Sequence, residues 1–332
     1  MLIQPLIEKI CTDSAVKVEF DIRRCLRSRF NKNNCVHCLQ VCRSGALELH
    51  EKHIVFDAEK CTSCMRCTAV CPRDAFVGSI DILSLLQDLS NRNEPVLLSC
   101  EKRTDSNDRI AIPCVGFFSE PLLAAINSVV RRKCFIDTSR CAECANNHCL
   151  TALYRNMENA IHKIKGNGEV RLECHVDKQF DSAADGKNGR RSFLRMIRKT
   201  ITSMGKDTLN FQFSDSEKTE DSHSKKKGRD ISALLYSFSA LSDRELSEKE
   251  TLLQYFFSVS TDDHCDCCPL CTGMCPTGAL KRKKENGIKY LTFTSGDCSG
   301  CGLCVDFCRK DALVLESGFS RDPGIPLQIK TC

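Results

Sequence analysis

The sequence predicts a multidomain α+β chain in which two similar cysteine-rich modules, one toward each end, flank a small parallel α/β domain, with a polar linker and short helices between. Three observations predict it. Cysteine occurs 26 times in 332 residues, far above ordinary usage. The thiols fall into three groups, residues 11–71, 100–174 and 265–308, with Cys332 apart. The outer groups repeat one short segment four times: VCRSGALEL from Val41, VCPRDAFVG from Val70, MCPTGALKR from Met274 and FCRKDALVL from Phe307. The expected domains are residues 1–93, 94–180, 181–230 (the linker) and 231–332. A chain of this length buries real cores without disulfides.

In residues 1–93, Cys61, Cys64, Cys67 and Cys71-Pro72 make C-x2-C-x2-C-x3-C-P. Three thiolates two residues apart can wrap three corners of a 4Fe-4S cube, while the fourth, on the following helical turn, reaches the neighbouring cube. The other half offers only Cys35, Cys38 and Cys42, so one ligand comes from upstream. Cys25 is the natural candidate, across the insertion LRSRFNKNN, and Cys11 is the substitute. The expected sets are Cys25, Cys35, Cys38 and Cys71, then Cys61, Cys64, Cys67 and Cys42. His37 reads as a neighbour that hydrogen-bonds cluster sulfur.

The pattern changes in residues 94–180. EPVLLSC (94–100), RIAIPC (109–114), KCFIDTSRC (133–141) and EVRLECHV (169–176) read as strands. Ser119-Glu120-Pro121 opens one helix toward Arg132, and Asn146 and Asn147 cap another running toward Gly166. This order implies a parallel sheet with right-handed crossovers. Cys100, Cys114 and Cys141 then share the carboxyl ends of strands, where open sheets place ligands. Cys144 and Cys149 follow, so five thiols compete for about four coordination places, with His148 a substitute. Cys134 and Cys174 read as core. The series LSC, PCVGFFSEPLLAAI and CAECANNHC, over residues 95–165, resembles the cysteine-bearing delta subunit of methyl-viologen-reducing hydrogenases. That resemblance implies Cys100, Cys114, Cys141 and Cys149 as ligands of one further Fe–S centre, 2Fe-2S or 4Fe-4S, with Cys144 the alternate. Here Cys100 stands alone where that family has a cysteine pair.

Residues 185–230 hold twelve Lys/Arg against seven Asp/Glu, which accounts for the whole net charge of +5. The excess therefore belongs to a solvated linker rather than a basic face, and with no Trp and 4 Tyr a nucleic-acid surface is excluded. Residues 190–204 read as a basic amphipathic helix. ISALLYSFSAL (231–241) and TLLQYFFSV (251–259), with a capping box at Ser247 and Glu250, read as a helical lead-in.

In the last module Cys265, Cys268, Cys271 and Cys275-Pro276 repeat the full spacing, and Cys298, Cys301, Cys304 and Cys308 repeat it without the proline. The expected sets are Cys265, Cys268, Cys271 and Cys308, then Cys298, Cys301, Cys304 and Cys275. Cys267 is surplus. Both halves resemble a bacterial-type two-cluster ferredoxin, which makes the whole chain polyferredoxin-like and implies two ferredoxin-like dicluster modules, each of short hairpins and helices packed over two cubes. Zinc, the competing metal, needs only four ligands and usually separates its pairs by a longer loop.

The function expected is electron transfer: four 4Fe-4S clusters, and one further Fe–S centre in the middle domain, relaying single low-potential electrons from one module across the middle site to the other. No catalytic residue is assigned. The partners expected are redox proteins of an anaerobic oxidoreductase complex: a catalytic subunit, a ferredoxin, or hydrogenase-like or heterodisulfide-reductase-like subunits. The alternative is an Fe–S enzyme reducing a disulfide or heterodisulfide at the middle centre. Nicotinamide, nucleotide and radical-SAM motifs are absent. No run is long and apolar enough for an integral membrane segment, and Glu8 and Lys9 interrupt the first short apolar stretch, so no secretory signal is expected and the location expected is cytoplasmic.

Overall fold

Strand β1 (Val18–Phe20) pairs antiparallel with β4 (Phe76–Gly78), and β2 (Leu47–His50) with β3 (His53–Phe56), in a computed structural model that describes residues 17–102, 109–175, 227–242 and 245–332. Cys11, the expected helix over 190–204 and most of the expected linker lie outside the described residues. Near the other end β9 (Phe257–Thr261) pairs with β12 (Leu313–Ser317), while β10 (Leu280–Glu285), β11 (Ile288–Phe293) and β13 (Leu327–Thr331) form a three-stranded sheet.

All four repeated segments take one backbone course. Three residues past the repeat's cysteine φ is positive: 70° at Gly45, 46° at Asp74, 73° at Gly278 and 49° at Asp311. Glycine adopts this region freely, and Asp is among the few other residues that tolerate it. A buried alanine follows, Ala46, Ala75, Ala279 or Ala312, and a strand starts at the next residue. Before each turn lies a short helix: α2 (His37–Val41), α3 (Arg66–Val70), α9 (Leu270–Met274) or α10 (Leu303–Asp306).

Between these ends, β5 (Val96–Cys100), β6 (Ile110–Ile112), β7 (Cys134–Asp137) and β8 (Leu172–His175) form one parallel sheet in the order β6-β5-β7-β8. Each strand lies within the stretch from which it is expected. Helix α4 (Ile82–Asn91) buries Ile82, Leu85, Leu86 and Leu89, the stripe of an amphipathic helix. Helix α5 (Glu120–Val129) starts where Ser119 accepts a hydrogen bond from the Leu122 amide at 3.3 Å. It is buried continuously from Leu122 to Asn127, because α6 (His148–Lys165) and α7 (Arg229–Ala240) both pack on it. Asn147 is the α6 N-cap but makes no side-chain cap bond, and the Asn146 amide donates instead to the Thr62 carbonyl at 3.0 Å.

The helical lead-in differs from expectation. Helix α8 (Leu246–Leu253) begins before Ser247, so the capping box does not form. Glu245 instead accepts from the Ser242 amide at 2.7 Å. Phe257, Ser258 and Val259 belong to β9, because pairing with β12 satisfies their backbone groups. A helical reading of an apolar run is overridden here by a distant strand.

One hydrophobic core runs continuously from Val18 through the parallel sheet to Phe256, and a second, separate core holds Val259, Leu280, Leu291, Phe293 and Leu313. The insertion between Cys25 and Cys35, which carries α1 (Leu26–Arg29), joins the two ends of the chain directly. Arg29 Nε donates to the Met274 carbonyl at 3.1 Å and the Asn33 amide to Asp306 at 3.0 Å. Phe30 meets Phe307 edge-on at 5.1 Å. The two cysteine-rich ends therefore touch without the parallel sheet between them.

Candidate metal centres

The structure brings the sixteen expected ligand thiols of the outer groups near one another in four sets of four. Burial pushes Cys38 up to about 12, and Cys71, Cys35 and Cys25 add to the rise. Cys67 is raised by burial and then by Cys64, Cys61, Cys38 and Cys42. Burial raises Cys271 to about 11, with Cys268, Cys265 and Cys308 adding to it, and Cys298 to about 12, with Cys301, Cys304 and Cys275 adding to it. Cys25 is the thiol that joins Cys35, Cys38 and Cys71, held as the N-cap residue of α1. His37 is exposed, and it is its backbone N–H that favours the Cys35 thiolate.

Local backbone explains the gathering. In three of the loops the residue before the second thiol is left-handed, at φ 53° for Ser63, 53° for Cys267 and 67° for Gly300, which curls the chain around the space it encloses. A Cβ on Gly300 would also stand 2.1 Å from the Phe257 ring, so that position is closed to other residues. Each short helix then carries one thiol within it, Cys38, Cys67, Cys271 or Cys304, and the last thiol of its segment lies just beyond its end. The influence of Cys38 on Cys67, and of Cys271 on Cys304, makes the two fours of each end neighbours.

Burial makes Cys38, Cys67, Cys271 and Cys298 favour their neutral form, a cost that a cationic metal core reverses. Arg73 points the same way. Its side chain is 4 % exposed, and its Nε and Nη1 find no hydrogen-bond partner among the described residues. Cys301 and Cys275 nevertheless sit close enough to favour its charge. A buried guanidinium with two unpartnered nitrogens beside Cys301 and Cys275, and with Asp74 also near, fits a site whose occupied form is anionic, as a thiolate-ligated Fe–S cluster is. Arg73 Nη2 reaches the Pro276 carbonyl at 3.5 Å, so this side chain links the Cys71 four to the Cys275 four. Sequence reasoning missed it, although a charged residue in CPRDA where its counterpart CPTGA has threonine was the available signal.

In the middle domain Cys100, Cys114, Cys141 and Cys144 come together. Burial pushes Cys141 up to about 12, with Cys114, Cys100 and Cys144 adding to it, and Cys100 responds to Cys114 and Cys144. Cys149, fully buried at the start of α6, sits differently. Its Sγ is 3.6 Å from the Cys64 carbonyl, and Cys64, His148 and Cys149 bring ligand atoms within 4.8 Å of one another. Hydrogen bonds from Cys149 lower Cys64 to about 5 and lower Cys114, while Cys149 itself is driven strongly upward by the same bonds. Cys149 thus has a thiol on either side, Cys64 and Cys114, and its Sγ donates to the Cys64 carbonyl. Gly116 leaves the room: a Cβ there would lie 2.1 Å from the Cys64 carbonyl and 2.8 Å from the Cys149 sulfur. Cys134 is fully buried in β7, and Cys174, half-buried in β8, contacts Met157 Sδ at 3.0 Å. Cys267 and Cys332, left over by the ligand sets, are joined as a disulfide.

A family described as the 4Fe-4S dicluster domain matches residues 31–75, a stretch holding seven of the eight thiols expected as ligands at the N-terminal end, with Cys25 just before it. Polyferredoxin protein MvhB of Methanothermobacter marburgensis is 36 % identical over 74 residues, 20 % of this chain and 18 % of that protein. The chain thus spans under a fifth of the length of the curated relative it matches. No solved structure matches. The two similarities are to a 4Fe-4S cluster domain and to a polyferredoxin, and both are consistent with iron–sulfur binding at the N-terminal thiols. Among the described residues no helix is long and apolar enough to cross a membrane.

Proposed function

We propose that the chain is an electron-transfer subunit that holds four 4Fe-4S clusters on two ferredoxin-like dicluster modules, and one further Fe–S centre on the small parallel α/β domain. It would pass single low-potential electrons between redox partner proteins in an anaerobic, cytoplasmic oxidoreductase complex. The observation that carries the reading is the gathering of sixteen thiols into four fours, each completed by a cysteine from the partner half. When bound, such clusters accept and release one electron at a time. Everything else is done by the chain.

The fours follow one another in space. Cys149 stands between the middle thiols and Cys64; Cys67 adjoins Cys38; Arg73 stands between Cys71 and Cys275; Cys304 adjoins Cys271. The middle set then lies at one end of a line rather than between the modules. For that set we take Cys100, Cys114, Cys141 and Cys144 as the ligands, with Cys149 a hydrogen-bond donor that tunes the centres on both sides of it. Catalysis at the middle centre, such as disulfide reduction, is the second reading, favoured by the fifth thiol that Cys149 places there.

The test is iron and acid-labile sulfide counting on anaerobically purified protein, with EPR after reduction. About sixteen iron atoms from the outer sets, plus two to four from the middle set, and signals of reduced 4Fe-4S clusters are expected. Zinc with no visible absorption would remove the electron-carrier reading.

A further inference from the structure

We propose that the Cys267–Cys332 bridge is a redox-active disulfide at the far end of this line, and that the exposed Cys332 is the sulfur that exchanges with disulfides of other molecules. The proposal rests on the reading of Cys265, Cys268, Cys271 and Cys308 as ligands of an electron-carrying cluster.

Among the described cysteines these two alone are joined. Cys267 lies between two proposed ligands, is 1 % exposed, and has a left-handed backbone. Cys332 Sγ is 3.5 Å from the Cys265 carbonyl, so the bridge rests directly on the ligand loop while Cys332 faces solvent. A staple for the last strand is not needed. β13 is already paired with β11, the Cys332 amide donates to Lys289 O at 2.8 Å, and Lys330 Nζ donates to the Asp262 carbonyl at 2.8 Å. The partner sulfur therefore stays in place when the bridge opens. Cys267 Sγ is 3.8 Å from the Lys289 carbonyl, an acceptor for the S–H it would carry. In the reducing compartment read for this chain, disulfides that do form are usually catalytic or redox-sensing, and among the described cysteines this is the one bridge.

The chemistry balances with two electrons and two protons. The S–S bond breaks and each sulfur gains one electron and one proton; the electrons come singly from a low-potential iron–sulfur reductant, and the protons from water reaching Cys332. In the return direction the Cys332 thiolate attacks a disulfide of another molecule and releases one thiol. Cys267 then attacks the mixed disulfide, which releases the second thiol and restores the bridge. The end of the line thereby converts single-electron delivery into two-electron thiol chemistry.

The test uses the full chain, purified anaerobically, oxidised with thionin and titrated with dithionite. Samples are quenched with N-ethylmaleimide, and the peptides bearing Cys267 and Cys332 are weighed. Both should be unlabelled in the oxidised protein and labelled together once EPR shows reduced clusters. Cys332→Ser, with iron and sulfide unchanged, should take up two electrons fewer per chain. An unlabelled pair in fully reduced protein, a labelled pair in oxidised protein, or an unchanged electron uptake in the variant would each overturn the proposal. Missing iron and sulfide would instead overturn the electron-transfer reading on which it rests.

Discussion

At the residue scale, the difference between Cys144 and Cys149 decides what the middle site is. Cys149 has a thiol on each side, Cys64 and Cys114, whereas Cys144 shares its space with Cys100, Cys114 and Cys141. Cys144→Ser is therefore expected to lose the iron of the middle centre, while Cys149→Ser keeps it and shifts the EPR signals of the neighbouring centres. Iron per chain and EPR of both variants read this, and the reverse pattern would return Cys149 to the ligand set. The spacing CAECANNHC could not separate the two, because both lie within a loop's reach of the same place. Only the start of α6 turns Cys149 back toward Cys64. The surplus of Cys267 and Cys332 was visible by counting. That they meet depends on β13 pairing with β11, which no local pattern announces.

At the scale of the element, the repeated turn is where sequence and backbone agree most closely. A small or acidic residue stands third after each repeat's cysteine, and each is left-handed, so a short motif alone specifies a conformation. Asp74 carries an added burden. Burial raises its carboxyl to about 6, Asp230 adds to the rise, and the Arg229 amide, which donates to it, together with Arg229 and Arg24, opposes it. Arg73 also lies nearby. A carboxyl whose folded pKa exceeds its unfolded value of 3.8 binds its proton more tightly in the native state. Stability is then highest at low pH and is lost as pH rises through the interval up to about 6. Asp74→Asn keeps the left-handed turn and removes this loss, so its melting temperature should gain on the wild type as pH is raised from about 5 to about 7. Calorimetry of both proteins across that range checks it; parallel curves would show that Asp74 does not titrate there. Helix boundaries were less legible. The run through Val259 has helical periodicity, yet Phe257–Thr261 is a strand because its partner, Leu313–Ser317, arrives from more than fifty residues away.

At the scale of the whole molecule, the two hydrophobic cores bear on how far the metal sites depend on one another. The core around Val259, Leu291 and Leu313 is separate from the one that runs from Val18 to Phe256. Removing one thiol from the last module should then leave the others standing. Cys271→Ala is expected to lower the iron content by about four atoms per chain, with the EPR signals of the other clusters retained; loss of all iron would show that the cores fold as one. The insertion LRSRFNKNN reads in sequence as a departure from a regular spacing. In the structure it is the element that docks one end of the chain on the other, through Arg29, Phe30 and Asn33.

The sequence by itself determined the thiol spacings, the four repeated turns and the strands of the middle segment, because each is written within a few consecutive residues whose backbone preferences and side-chain reach are local. Tertiary structure alone decided that Cys149 lies against Cys64, that Arg73 stands between the two ends, and that Cys332 reaches Cys267. Those outcomes depend on which distant surfaces meet, and surfaces meet according to the shape and burial of whole elements rather than the spacing of residues along the chain.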